Sequence, residues 1–138
     1  MAYLLPLAQA KKVFGEGLMA SVHVEKIGRM AVVECEGRIV QSESAFRLRD
    51  AVISQREARI IVLDLSELQT IEGGGLGVLQ FLRRWTHEHD IRFKLFNPNL
   101  AVQCKLESVG LMTEFDITTM DEMIALLGQE GTRYSTAA

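Results

Sequence analysis

The chain has 138 residues, of which 48% are hydrophobic and 24% charged, and its formal net charge is −3 at pH 7. This composition is typical of one globular domain that is large enough to form a hydrophobic core. The mildly acidic charge, without a basic cluster, argues against nucleic acid as a ligand. No apolar stretch reaches the ~20 residues of a membrane-spanning helix, so we expect no membrane insertion.

The first predicted elements form a β-hairpin. Residues 1–20 show no clear period and are interpreted as an N-terminal extension. Because no basic residues precede its short apolar patch, we expect no secretory signal and a cytoplasmic protein. Apolar and polar residues alternate over residues 22–27, and Gly28-Arg29 forms a turn. Residues 30–35 are predicted to return as the antiparallel partner strand.

A helix and a central strand follow the hairpin. The helix is predicted over residues 42–55, with Ser42 or Ser44 as its N-cap. The apolar run of residues 60–65 is rich in β-branched side chains and predicts a strand buried on both faces, as in a parallel sheet. Residues 74–89 then have the periodicity of a second helix.

The remaining elements complete an α/β pattern. A strand, a helix, a short strand and a last helix are predicted over residues 92–96, 100–109, 115–117 and 120–127. Asn97-Pro98-Asn99 fits the start of the first of these helices, with an Asx N-cap and a proline tolerated in the first turn, and Gly110 fits its C′ position. Gly128 is predicted to end the last helix, and residues 129–138 to form a flexible tail. The expected fold of residues 21–128 is therefore an α/β sandwich in which about four helices cover a mixed sheet.

The loop after the central strand is the most informative feature of the chain. Glu72 precedes three consecutive glycines, Gly73, Gly74 and Gly75, at the start of the second helix. Backbone N–H groups are unpaired at a helix N-terminus, and glycine allows a partner to approach the backbone closely. The loop lacks both the Lys-Ser/Thr ending of a P-loop and the glycine spacing of a dinucleotide-binding motif. Nucleotide binding is therefore the less favoured interpretation.

Three motifs, in order along the chain, resemble those of the STAS domain, the fold of anti-sigma factor antagonists, stressosome subunits and the cytoplasmic tails of sulfate transporters. Residues 62–66 and 71–77 are similar to the family's apolar strand and its Asp-Ser-Ser-Gly-Leu-Gly loop. Residues 95–99 resemble the Asn-Pro turn after the fourth strand, and residues 108–111 the Gly-Leu that closes the third helix. The resemblance covers residues 22–127.

The departures from the family pattern concern its phosphorylation switch. In the family, a partner kinase phosphorylates the first serine of the loop, and Gly73 occupies that position here. Glu72 replaces the preceding aspartate, and Val40 stands where the family often has an acid after the second strand. The resemblance therefore implies the fold and a binding role, but not control by serine phosphorylation.

The predicted partner-binding surface combines the loop with an apolar patch. Apolar positions of helix 74–89 spread more widely than one buried face requires, and Phe81 and Trp85 lie at the margin. Exposed apolar clusters usually mark contacts, here with a partner or with a second copy in a homodimer. The predicted site residues are Thr70, Glu72, Gly73, Gly74, Gly75, Gly77, Phe81 and Trp85.

The remaining candidate side chains, which are an aspartate, two cysteines and two histidines, are interpreted as structural and not as functional. Asp64 is expected to accept hydrogen bonds from loop N–H groups. Cys35 and Cys104 are interpreted as buried free thiols in a reducing cytoplasm. His87 and His89 are two residues apart on a helix and face different directions, so we expect no metal site. No spacing indicates a catalytic set, and we expect neither enzymatic activity nor a cofactor.

The sequence thus predicts a non-catalytic interaction module that resembles an anti-sigma factor antagonist. The implied partner is an anti-sigma factor or a related histidine-kinase-like ATPase domain. The alternatives are an accessory STAS subunit of a membrane transporter or of a stressosome-like assembly, and, less favoured, a nucleotide-binding domain that uses the glycine loop.

Overall fold

A computed structural model describes residues 20–137 of the chain, and the side chains of residues 20–131. The predicted N-terminal extension lies almost entirely outside the described residues. The division of the chain into extension, domain and tail stays a prediction. Within residues 20–137, no helix has the length and hydropathy that a membrane span requires.

In the described part of the chain, five strands form one mixed sheet in sequential order. They are β1 (Ala20–Ile27), β2 (Met30–Ile39), β3 (Ile60–Ile71), β4 (Arg92–Phe96) and β5 (Asp116–Thr118). β1 pairs antiparallel with β2, and every later pair is parallel. The opening hairpin and the βαβ units are therefore confirmed.

Four helices within residues 20–137 cover the sheet on its two faces. They are α1 (Ser42–Ile53), α2 (Gly74–Glu88), α3 (Leu100–Ser108) and α4 (Met120–Ala137), with a 3-10 turn at Met112–Glu114. The main core contains buried side chains of α1, α2 and α3, such as Leu48, Leu82 and Leu106. On the other face, Met123 and Leu126 of α4 pack against side chains of β2, β3 and β4. This arrangement confirms the predicted α/β sandwich.

The ends of α3 follow from local sequence. Asn99 Oδ1 accepts a hydrogen bond from the N–H of Val102 at 2.8 Å, as an N-cap does. At the other end Gly110 has a φ of +74°, and the N–H of Leu111 donates to the carbonyl of Leu106 at 2.8 Å. These are the features of a Schellman motif, so the predicted C-terminal end is confirmed. The predicted Asx cap is also confirmed, but Pro98 precedes the N-cap and does not lie in the first turn as expected.

Two other predicted helix ends are wrong. The N-cap of α1 is Gln41, and no side chain caps the helix, so neither Ser42 nor Ser44 has the predicted role. α4 continues through Gly128 to Ala137. Tertiary contact explains the longer helix, because Glu130 is only 3% exposed and its Oε1 accepts a hydrogen bond from the N–H of Arg29 at 2.8 Å.

The two cysteines differ in accessibility. Cys35 is buried in the main core, whereas Cys104 is exposed on α3, so the predicted burial of Cys104 is wrong. Burial, followed by the negative charges of Asp64 and Glu34, raises the pKa of the Cys35 thiol to about 12. The folded chain holds the thiol proton more tightly than the unfolded chain does. The protonated thiol therefore stabilises the fold at lower pH, and this stabilisation is lost as the pH rises from the ordinary thiol value of 9.0 towards 12.

We expect iodoacetamide at pH 8 to modify Cys104 alone in the folded chain, because the thiolate is the reactive form and Cys35 is both buried and protonated. Mass spectrometry should detect one carbamidomethyl group before unfolding in guanidinium chloride and two afterwards. Equal modification of the two residues in the folded chain would contradict the described burial.

Candidate functional site

The candidate loop is carried by a projection of the sheet beyond the end of β4, in which β1 still pairs with β2 as far as Gly37. β4 pairs with β3 only over residues 60–64, whereas β2 and β3 continue together to Ile39 and Ile71. The strand predicted over residues 60–65 is therefore longer than expected. Two register shifts give β3 extra residues relative to β2, a feature that bends and twists a strand. The N–H of Glu72 donates to the carbonyl of Ile39 at 2.9 Å and closes this projection.

Two glycines of the loop are required by its conformation and packing. Gly73 has a φ of +51° and a ψ of −117°, a backbone conformation that glycine adopts far more readily than other residues. Gly75 is buried, and a Cβ atom there would lie 2.7 Å from Ile71 Cγ1 and 2.8 Å from Ile39 Cγ2. The start of α2 therefore packs directly on the ends of β2 and β3.

The other glycines leave an open surface. A Cβ atom at Gly73, Gly74 or Gly77 would have no neighbouring atom within 4 Å, and all three residues are exposed. Among the described residues, the N–H groups of Gly73 and Gly74 have no hydrogen-bond acceptor. This glycine face, defined as Gly73, Gly74 and Gly77, offers accessible backbone and unpaired donors.

Glu72 and Thr70 flank the glycine face with different exposure. Glu72 is exposed and has no ion pair or side-chain hydrogen bond within the described part of the chain. Its charge lies next to the N-terminus of α2, where a carboxylate is favourable. Thr70 is half-buried on β3.

The two aromatic residues of α2 are not equivalent. Phe81 is 41% exposed, whereas Trp85 is half-buried and packs against the main core. The Trp85 ring also stacks on His89, with 4.3 Å between the ring centroids. Trp85 is therefore less exposed than Phe81, because it packs against the main core and His89 lies on its ring, and its role in partner binding stays a prediction. Phe81 alone is a large exposed apolar side chain on α2.

A polar network supports the projection from the side of β4. Asp64 Oδ1 accepts from the N–H of Ser66 at 2.9 Å and from its hydroxyl at 2.6 Å. The Asn97 amide donates to Ser66 Oγ at 3.1 Å, and the Asn99 amide donates to the carbonyl of Leu68 at 3.0 Å. The structural role predicted for Asp64 is confirmed. The asparagine contacts were missed, because Asn97 and Asn99 were interpreted only as a helix start.

A second exposed aromatic side chain was also missed. Phe46 on α1 is 50% exposed, and the Arg49 guanidinium lies 4.8 Å from its ring centroid. α1 packs against α2, and both helices begin at the same end of the sheet as the glycine face. The sequence indicates this exposure, because Phe46 lies off the apolar face of α1 that Ala45, Leu48 and Val52 form.

These features define an α/β domain that presents a glycine-lined helix start at the end of a strand projection. The pattern of the STAS domain matches residues 21–123, and the chain belongs to this family. No curated protein matches the chain in sequence.

Solved structures share this fold at low sequence identity. The Bacillus anti-sigma factor antagonist SpoIIAA, in its unphosphorylated form, is 18% identical with a TM-score of 0.66, over 79% of this chain and 97% of SpoIIAA. An anti-sigma factor antagonist from Mycobacterium paratuberculosis is 20% identical with a TM-score of 0.64, over 78% and 93%. SLC26A9 is 9% identical with a TM-score of 0.62, over 92% of this chain and 27% of SLC26A9. The predicted STAS fold, with its resemblance to anti-sigma factor antagonists, is confirmed.

Proposed function

We propose that this chain is a non-catalytic cytoplasmic interaction module whose partner is an anti-sigma factor or a related histidine-kinase-like ATPase domain. The partner contacts residues 70–77 and the first turns of α2. The observation that carries the proposal is the glycine face, where no side chain separates a partner from the backbone and two N–H groups remain unpaired. A complex that buries these N–H groups requires a partner with hydrogen-bond acceptors, because an unpaired buried donor costs free energy.

The interaction is proposed to work without phosphorylation of this loop. Gly73 has no hydroxyl at the position where the family's phosphoacceptor serine lies. The nearest hydroxyls are poorly placed, since Ser66 Oγ is hydrogen-bonded to Asp64 and Thr70 is half-buried. A partner that is a kinase would therefore bind this chain without modifying the loop.

The test is titration calorimetry with each purified anti-sigma factor ATPase domain of the host, followed by incubation with ATP. We expect one domain to bind, and the intact mass of the chain to remain unchanged. Failure of every such domain to bind would contradict the proposed partner class. A stoichiometric phosphate on Thr70 would contradict the absence of phosphorylation.

Substitution of the two aromatic residues should separate binding from folding. We expect Phe81→Ala to weaken partner binding with little change in melting temperature, because its side chain is exposed. Trp85→Ala should instead lower the free energy of unfolding by about 1–3 kcal/mol, less than the 3–5 kcal/mol of a fully buried aromatic, since Trp85 is half-buried. Calorimetric binding and thermal unfolding of both variants provide the measurement. A larger loss of stability in Phe81→Ala than in Trp85→Ala would contradict the described packing.

The second candidate function is an accessory STAS subunit of a membrane transporter. The likeness of 92% of the chain to a part of SLC26A9 favours this alternative. Fractionation of host cells distinguishes the two functions, because a transporter subunit would co-purify with the membrane fraction. A nucleotide-binding function of the glycine loop would instead appear as thermal stabilisation by nucleotides that Gly74→Asp removes.

A further inference from the structure

The sheet face that carries α4 is covered only in part by that helix. Met123 and Leu126 of α4 pack over Val32 of β2 and Val62 of β3. Beyond these two valines, towards the ends of β2 and β3 that carry the glycine loop, no side chain of either strand belongs to this second core. This part of the face therefore lacks an apolar cover among the described residues.

Four carboxylates occupy the uncovered part, in two pairs on neighbouring strands. Glu34 lies beside Asp64, and Glu36 lies beside Glu67, in the parallel register of β2 and β3. Cys35 points into the main core, so the residues on either side of it point to the α4 face. The four carboxylates are defined here as the acidic face. Like charges on adjacent strands repel each other, so the acidic face favours a cationic neighbour.

The described cations do not neutralise the acidic face. Glu34 and Glu67 make no ion pair or side-chain hydrogen bond with any residue from 20 to 131. Arg38 is the next charged residue on β2, and it likewise has no ion pair with a described carboxylate. Two of the four charges therefore lack a partner in the part of the chain that the structure describes.

An apolar stripe on α4 lies on the same side of the sheet. Met120, Ile124 and Leu127 are exposed, and their spacing places them along one side of the helix. These three residues are defined as the α4 stripe. It adjoins the buried side of α4 that Met123 and Leu126 form. Exposed apolar side chains that cluster in this way usually mark a contact surface.

The occupant that fits both features is the first segment of this chain, residues 1–19. Lys11 and Lys12 are its basic residues, and Glu16 is its only acid. Its large apolar residues include Leu4, Leu5, Leu7, Val13, Phe14 and Leu18. A basic and apolar segment complements the charge of the acidic face and the apolar character of the α4 stripe.

The point where the segment joins the domain places it next to this surface. β1 begins at Ala20, whose partner on β2 is Gly37, the neighbour of Glu36. Residues 1–19 span about 28 Å even as a helix, at 1.5 Å per residue. Five strands about 4.8 Å apart span roughly 19 Å from the first to the last. The segment is therefore long enough to extend from the acidic face to α4.

The exposed aromatic side chains on the other side of the sheet fit this segment less well. The Arg49 guanidinium lies on the ring of Phe46, and Phe81 precedes Arg83 and Arg84 on α2. These cations repel the two lysines of the segment. The first turn of α4, by contrast, is acidic.

We propose that residues 1–19 dock on the acidic face and on the α4 stripe, and so form an intramolecular cover for this side of the sheet. Lys11 and Lys12 lie against the carboxylates, and the apolar residues of the segment pack on the α4 stripe. This surface shares no residue with the predicted partner-binding site, so the docking is independent of the proposed function.

The test is zero-length cross-linking of the full chain with a carbodiimide, which joins a lysine amine to a carboxylate that it contacts. We expect tandem mass spectrometry to detect cross-links from Lys11 or Lys12 to carboxylates of the acidic face. Lys105, on α3, is the matched control and should give no cross-link to these carboxylates. The yield should fall several-fold in about 1 M NaCl, because salt screens charges at the surface.

Cross-linking of an equal mixture of ¹⁴N- and ¹⁵N-labelled chains shows which molecule the segment binds. We expect each cross-linked peptide pair to contain a single isotope. Pairs that combine the two isotopes would overturn the proposal, because the segment would then dock on a second copy. The absence of cross-links from Lys11 and Lys12 to the acidic face would overturn it as well.

Alanine substitution tests the apolar part of the contact. Ile124→Ala should lower the melting temperature of the full chain by about 3 °C or more, because it removes packing against the segment. Without the segment, no loss is expected, since Ile124 is 59% exposed and alanine is the better helix former. Leu100→Ala is the matched control, since Leu100 is 73% exposed on α3, and it should change the melting temperature by less than about 2 °C. Equal melting temperatures of the two variants would overturn the docking on the α4 stripe.

Discussion

Gly74→Asp is expected to weaken binding of the protein partner at least about a hundredfold while the domain stays folded. An uncompensated charge buried in an interface costs about 3–5 kcal/mol, and each 1.4 kcal/mol is a factor of ten in affinity. Folding should tolerate the change, because the new Cβ meets open space and an acid in the first turn of a helix is favourable by about 0.3–1 kcal/mol. Titration calorimetry and circular dichroism measure the two effects separately.

Substitution of Gly74 is a clearer test than substitution of Gly73, the position equivalent to the family's phosphoacceptor serine. At Gly73 the positive φ would strain any other residue, so lost binding in a Gly73→Asp variant could result from a distorted loop. Gly128→Asp is the matched control, since it adds the same charge at another open glycine, on α4. Unchanged affinity in a folded Gly74→Asp variant would show that the glycine face is not the docking surface.

Gly75→Ala is expected to destabilise the domain although it adds a single methyl group. The methyl carbon would lie under 3 Å from Ile71 Cγ1 and Ile39 Cγ2, atoms close to the backbones of two strands. Overpacking of this kind costs about 1–3 kcal/mol. In a domain of this size each kcal/mol corresponds to about 3–5 °C in melting temperature.

Gly77→Ala provides the control for this prediction, with an effect of opposite sign. Its Cβ would enter open space within α2, and alanine is favoured over glycine inside a helix by about 0.5–1 kcal/mol. Thermal unfolding of both variants should show a lower melting temperature for Gly75→Ala and a higher one for Gly77→Ala. A rise in both would mean that α2 does not pack on the strand ends as described.

The fold was predictable because local patterns agreed with the tertiary structure along most of the chain. The apolar run at the start of β3, the alternation in β1 and the cap of α3 each favour one structure. The prediction ended β3 at Leu65, because the next residues are largely polar. Leu68 and Ile71 are nevertheless buried, and β2 alone pairs with this part of the strand. That pairing depends on residues far away in sequence.

The candidate site was only partly predictable for a related reason. Consecutive glycines identify a loop without side chains, but they do not reveal which glycine has a positive φ and which touches a neighbour. The contact at Gly75 involves Ile39, a residue of another strand. Similarly, the spacing of Phe81 and Trp85 places both at the margin of α2, and the stacking of His89 depends on where the helix ends.

The network around Asp64 has a consequence for self-association. Where β4 ends, the outer edge of β3 would expose backbone groups that could pair with a strand of another molecule. Instead, the Asp64 carboxylate occupies the N–H of Ser66, and the Asn99 amide occupies the carbonyl of Leu68. Side chains thus take two of the places that an incoming strand would need, which weakens this edge as a template for strand pairing between molecules.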